Sequence, residues 1–138
     1  MKNILLLGLV TVAVLIAACG SNSSTTGAVI KTASVGNNLT VTLSNTDGVL
    51  GNGDNDFILS FKDASGKTVE VGAVGLNFYM PPMGTMPAMN NAASFTATGT
   101  PGVYQGKVKL ESAGDWQAQL TYEGTAGKGK TSFALTAQ

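Results

Sequence analysis

Beyond residue 27, no stretch of the chain repeats its apolar residues with the 3.6-residue period of an amphipathic helix. Short runs rich in Val, Thr, Ile, Phe and Tyr instead alternate with Gly, Asn, Asp and Pro. Only strands joined by turns fit that pattern. The alternation is cleanest in Trp116-Gln117-Ala118-Gln119-Leu120-Thr121-Tyr122, which places Trp116, Ala118, Leu120 and Tyr122 on one face and the polar residues on the other. The first face is the expected core face, and the sole tryptophan reads as core mass rather than as a binding ring, with Tyr104 read the same way.

Strands are predicted near Ala28 to Val35, Leu39 to Ser44, Phe57 to Lys62, Val69 to Tyr79, Ala93 to Ala97, Tyr104 to Leu110, Trp116 to Tyr122 and Thr131 to Thr136. Seven or eight strands at that spacing point to an all-β, immunoglobulin-like two-sheet antiparallel sandwich. The clusters Asp63-Ala64-Ser65-Gly66, Thr100-Pro101-Gly102 and Ala113-Gly114-Asp115 read as hairpin turns. Lys107 with Lys109, and Lys128 with Lys130, read as solvent-facing charges that blunt sheet edges.

Composition narrows the chemistry. Lys+Arg 8 balances Asp+Glu 8, so no basic field is available to hold nucleic acid. With no histidine, no arginine and one cysteine, zinc fingers, Ser-His-Asp or Cys-His catalysis and disulfide frameworks are excluded together. Nothing supplies the aromatic-lined cleft that a carboxylate-pair glycosidase needs, so no enzyme is expected. The carboxylates Asp47, Asp54 and Asp56 lie in a Gly/Asn-rich stretch whose spacing does not match an EF-hand, and a solvated hairpin loop is the expected reading.

Residues Ile4 to Ala18 are mostly apolar but shorter than the ~20 residues of a spanning helix, so 1–18 reads as a cleaved export signal. The motif Ile16-Ala17-Ala18-Cys19 resembles the lipobox of bacterial lipoproteins, which implies acylation of Cys19 and attachment to a membrane on the extracytoplasmic side of the cell envelope. Residues 19–27 form a polar tether, Gly20 to Gly27 spanning roughly 15 Å as a random coil. A single domain over 28–138 follows.

Within the segment Met80-Pro81-Pro82-Met83-Gly84-Thr85-Met86-Pro87-Ala88-Met89, every methionine beyond Met1 is gathered at an unbroken spacing of three. Three of the 4 prolines share the segment, which bars a central strand or a regular helix and makes it a loop. Thioether sulfur is a soft ligand suited to Cu(I), has no proton to lose on binding and survives outside the cytoplasm. In straight polyproline II the sulfurs would lie ~9 Å apart, so convergence requires a tight or 3₁₀-like turn, in which side chains three apart eclipse, and Gly84 is the residue that permits one. Met83, Met86 and Met89 are then the leading ligands, with Met80 nearest the strand and able to point inward. An apolar plug over the open end of the sandwich, or a partner-binding patch, accounts for the same residues.

The run Asn77-Phe78-Tyr79-Met80-Pro81-Pro82-Met83-Gly84-Thr85-Met86-Pro87, with Gly102-Val103-Tyr104-Gln105-Gly106 and Gly114-Asp115-Trp116, resembles the YtkA-like and FixH-like domains of bacterial envelope proteins. Gly53 to Phe57 and Asp63 to Lys67 are similar to that family's early hairpin, and the resemblance spans Leu39 to Tyr122. It implies an immunoglobulin-like sandwich associated with copper supply, beside cation pumps, oxidase assembly or efflux systems. FixH-like proteins carry a spanning helix where this chain has its lipobox, and some relatives place a histidine where Thr85 stands. The expected function is a lipoprotein that binds Cu(I) or Ag(I) through Met80, Met83, Met86 and Met89 for storage, delivery or tolerance. The alternative is a non-catalytic module whose Met/Pro loop docks onto a membrane transporter, efflux adaptor or oxidase subunit.

Overall fold

A computed structural model describes residues 27–138. The expected export signal over 1–18, the expected acylation site Cys19 and the expected tether up to residue 26 lie outside the described residues. Nine strands follow in chain order: β1 Ala28–Gly36, β2 Leu39–Asn45, β3 Gly53–Lys62, β4 Ala73–Met80, β5 Met89–Ala92, β6 Ser94–Ala97, β7 Val103–Leu110, β8 Gly114–Gly124 and β9 Gly127–Ala137. They form two antiparallel sheets, one ordered β1-β2-β3-β7-β6 and the other β5-β4-β8-β9. The two-sheet sandwich expected from the alternation is present, with one strand more than the seven or eight read from sequence.

The extra strand is β5. It and β6 are consecutive in the chain, separated by Ala93, and belong to different sheets. A bent strand of this kind is how a sandwich closes its side. The run Val69 to Tyr79 is not a continuous strand. Val69–Gly72 carries the chain from the first sheet to the second, with Val71 fully buried and Gly72 at φ +84°, and β4 starts only at Ala73. Ala113-Gly114-Asp115 is likewise a crossover, because β7 and β8 lie in different sheets and do not pair. Lys107 and Lys109 do not blunt an edge, since β7 runs between β3 and β6; they face solvent opposite Asp56 and Asp54, with a Lys107–Asp56 ion pair at 3.2 Å.

The alternation of β8 is realised as read: Trp116, Ala118, Leu120 and Tyr122 are buried, while Gln117, Gln119 and Thr121 are exposed. Inward rings from both sheets meet edge to face, Phe57 of β3 against Phe78 of β4 at 6.4 Å and Phe61 of β3 against Tyr122 of β8 at 5.8 Å between centroids. Gly106 of β7 lies under this layer, where a Cβ would run into the Phe57 ring and come within 2.9 Å of Phe95. The β1–β2 turn is Asn37-Asn38, both at positive φ (51° and 58°), the signature of a type I′ hairpin turn.

Tyr104 does more than fill space. Its hydroxyl donates to Glu70 Oε1 at 2.6 Å, and Glu70 also accepts from the amides of Gly72 and Gly102, each at 3.2 Å. One carboxylate thereby fastens the β3–β4 crossover to the β6–β7 turn. These bonds, that from Tyr104 first, hold the Glu70 carboxyl below its usual range, while burial and then Glu70 push the Tyr104 hydroxyl up to about 12.

Two outcomes follow from this packing. Gly106→Ala should lower unfolding free energy by about 1–3 kcal/mol in denaturant melts, because the ring above it cannot move without disturbing its own partners. Tyr104→Phe should cost roughly 1 kcal/mol at neutral pH, Glu70 being solvent-exposed. The raised tyrosine contributes fully below its ordinary value near 10 and loses that contribution as pH climbs towards about 12. The depressed Glu70 contributes above its ordinary 4.5 and loses that contribution as pH falls through its lower folded value. The stability gap between wild type and Tyr104→Phe should therefore be flat between those limits and close on either side.

Candidate metal centre

The methionine segment is a β-hairpin joining β4 to β5. Its centre is Gly84-Thr85, and Met83 and Met86 flank that centre as a bridged pair: the Met83 amide donates to the Met86 carbonyl at 3.1 Å and the Met86 amide to the Met83 carbonyl at 2.9 Å. Gly84 has φ +57° and Thr85 does not share the positive sign, the pattern of a type II′ turn with glycine at its first central position. At the base of the hairpin Met80 pairs with Met89. A spacing of three about a two-residue turn puts methionines at mirror-related positions, so four residues in a line become two cross-strand pairs.

Pro81, Pro82 and Pro87 lie between the pairs and have no N–H to donate. The tip is therefore held by its own two hydrogen bonds, separated from the ladder of β4 and β5. Directly opposed side chains share a face with Cβ atoms ~4.5–5.5 Å apart, whereas three residues along the ribbon amount to ~10 Å. Each pair can bring its two sulfurs to one ion more readily than the two pairs can share one.

Surroundings separate the pairs further. Met80 is 2% exposed within the core, its Cε 3.3 Å from where a Cβ on Gly114 would stand. Met89 is half-buried against the core. Met83 and Met86 are 57% and 45% exposed. So exposed, these two do not plug the open end of the sandwich; of the four methionines Met80 alone is fully buried.

Of the three carboxylates expected in one loop, only Asp47 lies in the β2–β3 connection; Asp54 and Asp56 belong to β3, where they pair across from Lys109 and Lys107, because the strand starts at Gly53 rather than at Phe57. Among the described residues no group of three or more His, Cys, Asp or Glu is placed to hold a metal ion. That connection is organised by two asparagines the sequence reading passed over. Asn45 accepts from the amides of Asp47 (3.0 Å) and Gly48 (2.6 Å) and donates to the Val49 carbonyl at 2.6 Å. Asn55 accepts from the Gly51 amide at 2.7 Å and donates to the carbonyls of Gly51 and Gly53, each at 2.8 Å. Asparagine's habit of bonding to nearby backbone was the available signal. Trp116 is core, as read, with its Nε1 donating to the Ser112 carbonyl at 3.0 Å.

Fold and hairpin together define the class: an immunoglobulin-like two-sheet domain that displays a methionine ribbon at one end. A family model described as YtkA-like matches residues 33–121, well over half the chain and the whole hairpin included, and the chain belongs to that family. No curated protein and no solved structure matches it.

Replacing Gly84 by Val tests the turn directly. A Cβ added there would meet no other atom within 4 Å, so the cost is conformational, about 1–2 kcal/mol for a branched residue at positive φ. Amide exchange at Met83 and Met86 should quicken by roughly 5–30-fold while the melting temperature of the domain stays put.

Proposed function

We propose that this YtkA-like domain is a non-catalytic carrier of Cu(I), or of its soft analogue Ag(I), held by the thioethers of the hairpin tip, on a lipoprotein anchored through Cys19 outside the cytoplasm. The observation that carries the reading is the exposed, mutually opposed pair Met83 and Met86 at a turn that the sequence locks with Gly84. Solvent exposure of two large thioethers is unfavourable unless something covers or uses them. Soft sulfur favours a soft monovalent ion, and of the two methionines at the hairpin base the half-buried Met89 is a more accessible further donor than the buried Met80. Met80 supports the site by anchoring the ribbon in the core.

Neutral ligands shape what the site can do. Thioethers neither release a proton nor cancel the ion's charge, so the bound cation stays labile compared with a thiolate complex. That suits receipt and release rather than permanent storage. Copper supply to a membrane transporter, efflux adaptor or oxidase assembly partner is the corresponding role. The same exposure favours a second reading, in which the tip docks on such a partner without metal.

Anaerobic titration of the purified chain with Cu(I) decides between them. Saturable uptake should disappear in Met83→Leu/Met86→Leu/Met89→Leu and persist in Met80→Leu, leucine keeping volume and apolarity. Uptake should be flat from roughly pH 5 to 8, because no ligand titrates there. Uptake unchanged in the triple variant gives the site to docking instead.

A further inference from the structure

The chain enters the sandwich at the same pole from which the hairpin projects. Ala28, the first residue of β1, pairs with Asn45 at the end of β2. The β2–β3 connection then meets the end of β9 through the Leu50–Ala137 bridge, Ala137 pairs with Gly114 at the start of β8, and Gly114 lies against Met80 at the hairpin base. The turns Asn37-Asn38, Asp63 to Lys67, Thr100 to Gly102 and Thr125-Ala126 all belong to the opposite pole.

The exposed large apolar side chains follow the same division. Among the described residues these are Val29, Val49, Met83 and Met86. Val29 is the second residue of β1, Val49 lies in the β2–β3 connection, and the methionines form the hairpin tip. All belong to the pole where the chain enters; none belongs to the far one.

We infer that this pole is the face the domain turns toward its membrane, and that the hairpin tip, Pro81 to Ala88, rests in the lipid headgroup region. The inference depends on the acylation of Cys19 proposed above and not on metal binding. Its strongest support is reach. Eight residues from Gly20 to Gly27 extend to at most ~26–29 Å. The nine residues of β1 alone rise ~30 Å, and the eleven of β8 ~37 Å. Even a fully drawn tether is too short for the domain to stand inverted on its far pole, whereas the near pole reaches the bilayer that holds the lipid without strain.

Charge selects the lipid. No ionisable acid or base occurs between Glu70 and Lys107 apart from tyrosine hydroxyl, so β4, the hairpin, β5 and β6 carry no formal charge. The exposed carboxylates of this pole, Asp47, Asp54, Asp56, Glu111 and Asp115, lie outside that run and outnumber Lys107 and Lys109, which stand opposite Asp56 and Asp54. An uncharged tip of proline and methionine suits the boundary between headgroup and acyl chain, and the neighbouring carboxylates favour a zwitterionic surface over an anionic one.

The test uses the acylated full chain, purified from membranes and reconstituted without metal in phosphatidylcholine vesicles. Met83→Trp and Thr125→Trp place a fluorophore at the tip and at the far pole, against the background of buried Trp116. With phosphatidylcholine brominated near the carboxyl end of its chains, emission should be largely lost at position 83 and unchanged at position 125. Unquenched emission at position 83, or equal quenching at both, overturns the inference. So does quenching at 83 that requires native membrane proteins, which makes the occupant a protein, and so does a mass spectrum showing no acyl group on Cys19. Because no copper is present, failure of Cu(I) binding leaves these outcomes untouched.

Discussion

Everything in this domain depends on the contact between two sheets, an aliphatic core in which rings from both sheets meet. Phe57 and Phe61 on β3 meet Phe78 and Tyr122 across the interior, while Phe95 and Tyr104 extend the layer within the first sheet. Edge-to-face contacts fix relative position more tightly than interchangeable aliphatic packing does. They set the two sheets in register, and Gly106 gives the rings room by offering no side chain. The hairpin inherits its place from this arrangement, since Phe78 and Met80 point inward from the strand that leads into it.

Much of this was written in local alternation. The burial of β8 can be read from Trp116 to Tyr122 residue by residue, and the strand class follows from short runs punctuated by turn formers. What was not legible is non-local. Ala113-Gly114-Asp115 has the chemistry of a turn, and turn chemistry says nothing about which sheet the next strand joins. Val69 to Gly72 continues an apolar alternation up to a glycine that ends it, so the crossover looked like strand. Met89-Asn90-Asn91-Ala92 has no branched or aromatic residue, and pairing with β4 makes it a strand nonetheless. Asn37-Asn38 was readable through asparagine's tolerance of positive φ but is a weaker signal than Asn-Gly.

The candidate site shows the same limit at smaller scale. A spacing of three suggested polyproline or a tight helical turn, because both bring every third residue to one side. The structure satisfies the spacing differently, by reflection about Gly84-Thr85. The need for a tight turn, and for glycine to allow it, was visible in the sequence; the pairing of Met83 with Met86 and of Met80 with Met89 was not, because register depends on where the turn centre falls. The pair at the hairpin base, Met80 and Met89, lies against the core, and the pair at the tip, Met83 and Met86, lies in solvent.

The bend at Ala93 gives the hairpin an unusual mechanical position. One limb, β4, sits beside β8 within the second sheet, and the other passes through β5 directly into β6 of the first. A load applied at the tip is therefore shared by both layers of the sandwich, much as a handle riveted to two plates cannot be pulled from one alone. Whatever grips the tip pulls on the seam between the sheets rather than on a loose appendage.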